Sequence, residues 1–280
     1  MLGKLVFYDG KIQLKFLSSL CIVSVLISLF AGGMGWLCEA YPNVMVFGIF
    51  STLTLGFSIL AIIAMIFGNT VYAVIYFRKN IFRDEGYLTH TLPVTKAQLF
   101  FSKLITSTVS VYLSILVACL CACIGTRRWD YISIFLDMLE ESGVQETGTV
   151  VLSVIILIFL IPVTLCQFYA SLVLGYTWKV NSGNHTNRDL LSFASYIILY
   201  MVQQAFALIC ILVYLVIAIG SPFSSEFVSQ MESLVEKQTG DAVMSYIQGV
   251  LGIAFGLNVI VAVILITIIL WRLNHNLDLE

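Results

Sequence analysis

The side chains best suited to chemistry in this 280-residue chain are few, and their spacing offers little for them to do together. The three histidines, His90, His185 and His275, stand apart, with no H-E-x-x-H run and no cysteine close by to complete a metal site. Cys119, Cys121 and Cys123 step by two, which on a helix turns Cys121 away from its neighbours. Seven cysteines, six of them inside apolar stretches, speak for small apolar filler rather than a disulfide framework. No G-x-x-x-x-G-K-[ST] run occurs, so the chain does not cradle nucleotide phosphates in a P-loop. The expectation is therefore a chain with no catalytic, cofactor-binding or metal residues of its own and no nucleic-acid partner. What remains are amides within apolar stretches: Asn69, Gln167, Gln203, Gln204 and Asn258. Helix-to-helix hydrogen bonding, at about 0.6–2 kcal/mol each, is the expected role. Gln203, Gln204 and Asn258 are the candidates for lining a polar path, the adjacent pair because two neighbouring residues cannot both face one partner.

Those amides need a frame, and the composition says which. Sixty per cent of the residues are hydrophobic and 11% charged, with a mean hydropathy of +0.99, against about 25% charged residues in a soluble domain. Stretches of about 20 apolar residues can cross a hydrocarbon core of about 30 Å. Six such stretches lie near 16–35, 44–77, 104–125, 150–176, 190–220 and 249–271. The last holds fifteen Leu, Ile, Val or Phe residues, roughly −5 to −9 kcal/mol on the insertion scale. The fold expected is an all-α integral membrane protein: one transmembrane domain over 1–280 with six transmembrane helices. The first stretch follows three lysines without a small-residue cleavage site, so it reads as a retained span. No charge falls well inside a stretch, which argues against proton coupling and intramembrane proteolysis. Pro162 should bend the fourth span.

Alternate loops divide the basic residues unequally. Lys4, Lys11, Lys15, Arg78, Lys79, Arg83, Lys96, Lys103, Lys179, Arg188 and Arg272 lie on one side, against Arg127, Arg128 and Lys237 on the other. By the positive-inside rule the N and C termini are both cytoplasmic. Residues 1–13 mix Leu2, Leu5, Val6 and Phe7 with Lys4, Asp9 and Lys11, which reads as an amphipathic N-terminal entry helix in the membrane plane. The outer loops carry apolar residues at helical spacing, Trp129 to Leu139 and Phe223 to Val235, suggesting a helix in each.

The connector between the second and third stretches is the most informative segment. Pro93 ends any helix from the second span. Thr95-Lys-Ala-Gln98 then fits a capping box, with Val94 and Leu99 placed for a hydrophobic staple, so a helix should start at about Lys96. Between them, residues 81–92 form a short element pinned at both ends. Lys96 and Lys103 read as anchors at the membrane interface.

The run FRDEGYLTHTLPVTKAQLFFSKLI over 82–105 resembles the loop after the second span in permease subunits of type-2 ATP-binding-cassette exporters, in a Gram-positive bacterial branch. The opening MLGKLVFYDGKIQLK and the ending NHNLDLE are similar to the entry helix and tail of that branch. The loop 125–148 is longer than in a compact member. The resemblance implies a bacterial plasma-membrane permease that pairs with a second permease, as homo- or heterodimer, and with separate ATPase subunits that carry ATP and Mg. Segment 78–95 would be the coupling element, with Arg83, Asp84, Glu85, Gly86, Tyr87, Leu88 and Thr89 at the ATPase contact. Apart from the resemblance, the same topology would suit a non-transporting membrane sensor or assembly component that recruits a cytoplasmic partner.

Overall fold

The structure, a computed structural model, describes residues 2–82, 94–128, 130, 144–177, 185–219 and 240–275. Among the described residues the regular structure is helical throughout: α1 (Leu2–Ala40), α2 (Met45–Phe82), α3 (Lys96–Thr126), α4 (Val144–Thr177), α5 (His185–Ile219) and α6 (Gly240–His275). All six are long and apolar enough to cross a membrane. At 1.5 Å per residue, 39 residues of α1 extend about 58 Å, well beyond a hydrocarbon core of about 30 Å. The chain is a multi-pass membrane protein.

Each helix is longer than the apolar stretch that announces it. The entry segment is helical from Leu2 and continuous with the first span, with no break before Phe16. Helix α3 begins at Lys96, as its capping box requires. The Gln98 N–H donates to Thr95 Oγ1, and the Thr95 N–H donates to Gln98 Oε1, both at 3.3 Å. It ends at Arg127, whose φ of 56° lets its N–H turn back to the Ile124 carbonyl, the left-handed closure usually given to glycine. Helix α4 runs through Pro162. The outer-loop helices expected within 129–139 and 223–235 lie outside the described residues, apart from a helical Asp130.

The chain divides into two compact units, one holding α1–α3 and the other α4–α6. In the first, α1 packs on both α2 and α3. Residue 9 of α1 meets residues 102 and 103 of α3, and Gly32 meets Ile124, so these two helices run parallel. Residues 9, 24 and 28 meet residues 76, 65 and 58 of α2, which therefore runs the opposite way.

The buried stripe of this unit is small and polar. On α3 it is Ser107, Ser110, Ser114, Ala118, Cys121 and Gly125, spaced by three and four residues. On α1 it includes Gln13, Leu17, Ser24, Ser28, Ala31 and Gly32, and on α2 Thr54, Ser58, Met65, Asn69 and Ala73. Large apolar residues such as Leu26, Phe30, Phe57, Leu60, Phe67 and Leu116 point outward. This reverses the pattern of a water-soluble bundle, because lipid gives leucine no reason to leave the surface. Close packing of small side chains then holds the helices together. Cys121 is buried between an exposed Cys119 and a half-buried Cys123, in line with their spacing.

In the second unit α4 packs on α5 and α6 through Val163, Leu165, Tyr169, Ala170 and Val173. Phe168 stacks on Tyr196 with centroids 4.7 Å apart. Gly175 lies so close to Ser192 that any Cβ there would meet the Ser192 backbone. The Tyr176 hydroxyl donates to Asp189 Oδ1 at 2.6 Å, and Gln248 Nε2 donates to Thr149 Oγ1 at 3.0 Å.

Candidate functional site

The first unit gathers its chemistry into a polar ladder along the shared edge of α1, α2 and α3, starting close to the connector. Asp9 forms the first rung. Its Oδ1 accepts the Tyr76 hydroxyl at 2.7 Å and the Lys103 ammonium at 3.3 Å, and its Oδ2 accepts the Ser102 hydroxyl at 2.6 Å. Asp9 is 5% and Lys103 2% exposed. Lys103 also sits 4.7 Å above the centre of the Tyr76 ring. Desolvating the two charges costs several kcal/mol per ion, offset here by their attraction, two hydroxyl donors and the aromatic face.

This is a correction to the sequence reading of Lys103. Rather than reaching out to an interface, its side chain folds inward, because α1 continues as helix past Gln13 and brings Asp9 within reach. It also qualifies the expectation of no charge inside a span: the pair lies about two turns in from the start of α3 and is enclosed by protein.

The next rungs follow at helical intervals. Gln13 Nε2 donates to Ser107 Oγ at 3.0 Å, and Ser110 Oγ donates to Asn69 Oδ1 at 3.1 Å. Ser24 Oγ lies 3.1 Å from Met65 Sδ, and the Ser28 and Ser58 hydroxyls share a hydrogen bond at 2.9 Å. Gln13 Oε1 and Asn69 Nδ2 are buried without a hydrogen-bond partner. At the far end, Arg127 Nη1 meets Glu39 Oε2 at 2.6 Å. The expectation that Asn69 bonds between helices holds. A search for polar periodicity within apolar stretches would have found Ser102, Thr106, Ser107, Ser110 and Ser114 on one face of α3. No local signal joins Asp9 to Lys103, which are 94 positions apart.

The connector is mounted on the first rung. Tyr76 lies six residues before the end of α2, and Ser102 and Lys103 six and seven residues after the start of α3. Between rung and connector, the Phe77 and Phe100 rings meet edge to face with centroids 6.4 Å apart, both fully buried. Phe16 stacks on Tyr72 at 3.9 Å one turn away. The candidate contact residues Arg83, Asp84, Glu85, Gly86, Tyr87, Leu88 and Thr89 lie outside the described residues.

In the second unit, Gln203 and Asn258 come together and Gln204 does not join them. The first two line a cleft of about 100 Å³ between α5 and α6, with Phe206, Ile211, Leu257 and Val261 as apolar walls. Gln203 Oε1 has no hydrogen-bond partner. Asn258 Nδ2 donates to Ala254 O of its own helix at 2.8 Å, so its bond is local rather than between helices. Gln204 lies on the exposed face of α5. Gln167 is buried with its Nε2 unpartnered. Among the described residues no three His, Cys, Asp or Glu side chains cluster so as to hold a metal ion.

Comparison of the chain with protein-family models, with curated proteins and with solved structures gave no match.

Proposed function

We propose that this chain is the permease subunit of an ATP-driven exporter in a bacterial plasma membrane, with both termini cytoplasmic and no ATPase activity of its own. A separate ATPase subunit, holding ATP and Mg, docks on the connector through Arg83, Asp84, Glu85, Gly86, Tyr87, Leu88 and Thr89. A second permease, identical or related, completes the transporter, and the two alternate between inward-open and outward-open states as nucleotide binding biases them.

The observation that carries this reading is the mount of the connector. A loop that transmits force needs stiff roots, since a push on a frayed helix end dissipates in local unwinding. Here α2 persists to Phe82, α3 starts from a complete capping box at Thr95, the Phe77–Phe100 contact ties the two to each other, and the Asp9 rung ties both to α1. The resemblance of 82–105 to exporter permeases supplies the identity of the neighbour. The Gln203–Asn258 cleft supplies amides on apolar walls, a lining suited to an amphiphilic cargo.

The test is to look beside the gene for an open reading frame with a P-loop and to co-express the chain with its ATPase product; an absence of such a neighbour would count against the exporter reading. The tagged chain should retain that ATPase through purification, and alone it should hydrolyse no ATP. Replacing Glu85 and Tyr87 together by alanine should abolish the association while leaving the chain in the membrane. Retention of the ATPase at unchanged yield by this double variant would remove the assigned contact.

A further inference from the structure

Asp9 is bonded to both roots of the connector at once. Tyr76 belongs to the helix that enters it, Ser102 and Lys103 to the helix that leaves it, and the carboxylate of a third helix lies between them. An aspartate side chain is short, so α1 must sit in the groove between α2 and α3 for all three bonds to form. A buried charge cannot exchange its partners gradually: separating α1 from the α3 root leaves Asp9 and Lys103 uncompensated, and separating it from the α2 root takes the Tyr76 hydroxyl from the carboxylate, so the ion pair is either closed or open to water. Farther along, α1 is fastened to α3 a second time. There Gly32 rests against the Ile124 carbonyl and Glu39 pairs with Arg127.

We infer that Asp9 is a positioning residue that locks α1 to the two roots of the connector, so that displacement of the connector is carried along α1 to its far end at Glu39. The inference rests on the connector being the ATPase contact. It adds a part to that reading, since α1 is separated in sequence from the docking segment and is bonded to both of its roots. Apolar residues at positions 9 and 103 would leave no charge stranded, and the small-residue packing would still hold the helices together. The three directional bonds instead fix the angle and register of α1 relative to α2 and α3.

The test uses the assembled complex in lipid nanodiscs with two readouts. One is amide hydrogen exchange across residues 2–13. The other is labelling of Tyr41→Cys, in a Cys38→Ser background, by a membrane-impermeant maleimide with and without ATP plus vanadate. Tyr41 is exposed and lies just beyond α1. The double variant Asp9→Leu/Lys103→Met removes both charges and the acceptor oxygens together and so avoids stranding a charge. It should assemble and melt as the unmodified complex does. Its exchange across 2–13 should rise at least about tenfold, and the nucleotide-dependent change in labelling should disappear. Ser102→Ala removes one donor and no charge. It should raise the exchange by a smaller factor and reduce the labelling change, and it decides the matter should the double variant not assemble. Exchange and labelling equal to those of the unmodified complex would overturn the inference. Absence of any nucleotide response in the unmodified complex would instead overturn the ATP-driven reading, and the exchange data would still decide whether Asp9 fastens α1.

Discussion

Replacing Gly32 by alanine, and separately Gly33 by alanine, adds the same methyl group at adjacent positions of α1 and should change stability in opposite directions. At position 33 an added Cβ meets nothing within 4 Å, so the variant gains only helix propensity, about 0.5–1 kcal/mol. At position 32 the Cβ would stand 2.7 Å from the Ile124 carbonyl oxygen, a backbone atom fixed within α3. Ordinary contact begins at 3.4 Å, so α1 and α3 must part locally by about 0.7 Å, the difference of the two. A radial gap of about 0.5–1 Å forfeits roughly a quarter to a half of each dispersion contact, and overpacking costs about 1–3 kcal/mol in all. Less the propensity gain, Gly32→Ala should destabilise by up to about 2.5 kcal/mol, leaving the two variants about 1–3 kcal/mol apart. Unfolding of the purified chain by SDS titration in mixed micelles, followed by circular dichroism, measures both. Equal shifts of the same sign would refute the close α1–α3 approach.

Three further outcomes follow from single contacts. Thr95→Ala should cost about 0.5–2 kcal/mol and speed amide exchange at Gln98, with Thr95→Ser restoring both; unchanged exchange at Gln98 would mean that the capping box does not hold the start of α3. Ser110→Ala takes the donor from Asn69 Oδ1 beside an already unpartnered Nδ2 and should cost about 0.6–1.7 kcal/mol in the same titration. The double variant Asn69→Leu/Ser110→Ala should recover most of that loss, and failure to recover any would count against the rung. Tyr176→Phe removes a hydrogen bond to the Asp189 carboxylate, a loss of about 1.5–3 kcal/mol if that bond ties α5 to α4; an effect below about 0.5 kcal/mol would argue otherwise.

The six membrane-length helices were legible because each holds a core of Leu, Ile, Val and Phe that nothing else explains. Their ends were less so. Hydropathy stops where Asp9, Lys11 or Lys103 enters the window, although a charged side chain can stay helical when another helix satisfies it, as Lys103 does for Asp9. The start of α3 at Lys96 was readable to the residue, since the capping box is a local chemical signal. Asn69 was recognised as an interhelical amide, but its partner Ser110 was not, because serine carries little weight in a transfer scale. The Asp9–Lys103 pair was missed altogether: it joins residues distant in sequence, and a lysine beside a span is usually read as an interface anchor. Of the proposed path residues, Gln203 and Asn258 share a cleft and Gln204 lies elsewhere. A one-residue step on a helix turns by about 100°, so the adjacent glutamines could not have served one cleft together.

In the proposed function, an ATP-hydrolysing neighbour takes hold of the segment between α2 and α3. A photo-crosslinking amino acid placed at Tyr87 tests it most directly, with irradiation in cells followed by mass spectrometry of the adduct. Irradiation should give a covalent product with a polypeptide carrying a G-x-x-x-x-G-K-[ST] motif, lost when the same probe is moved to Tyr41. Adducts only with lipid, with an extracytoplasmic protein or with a partner lacking that motif would contradict it.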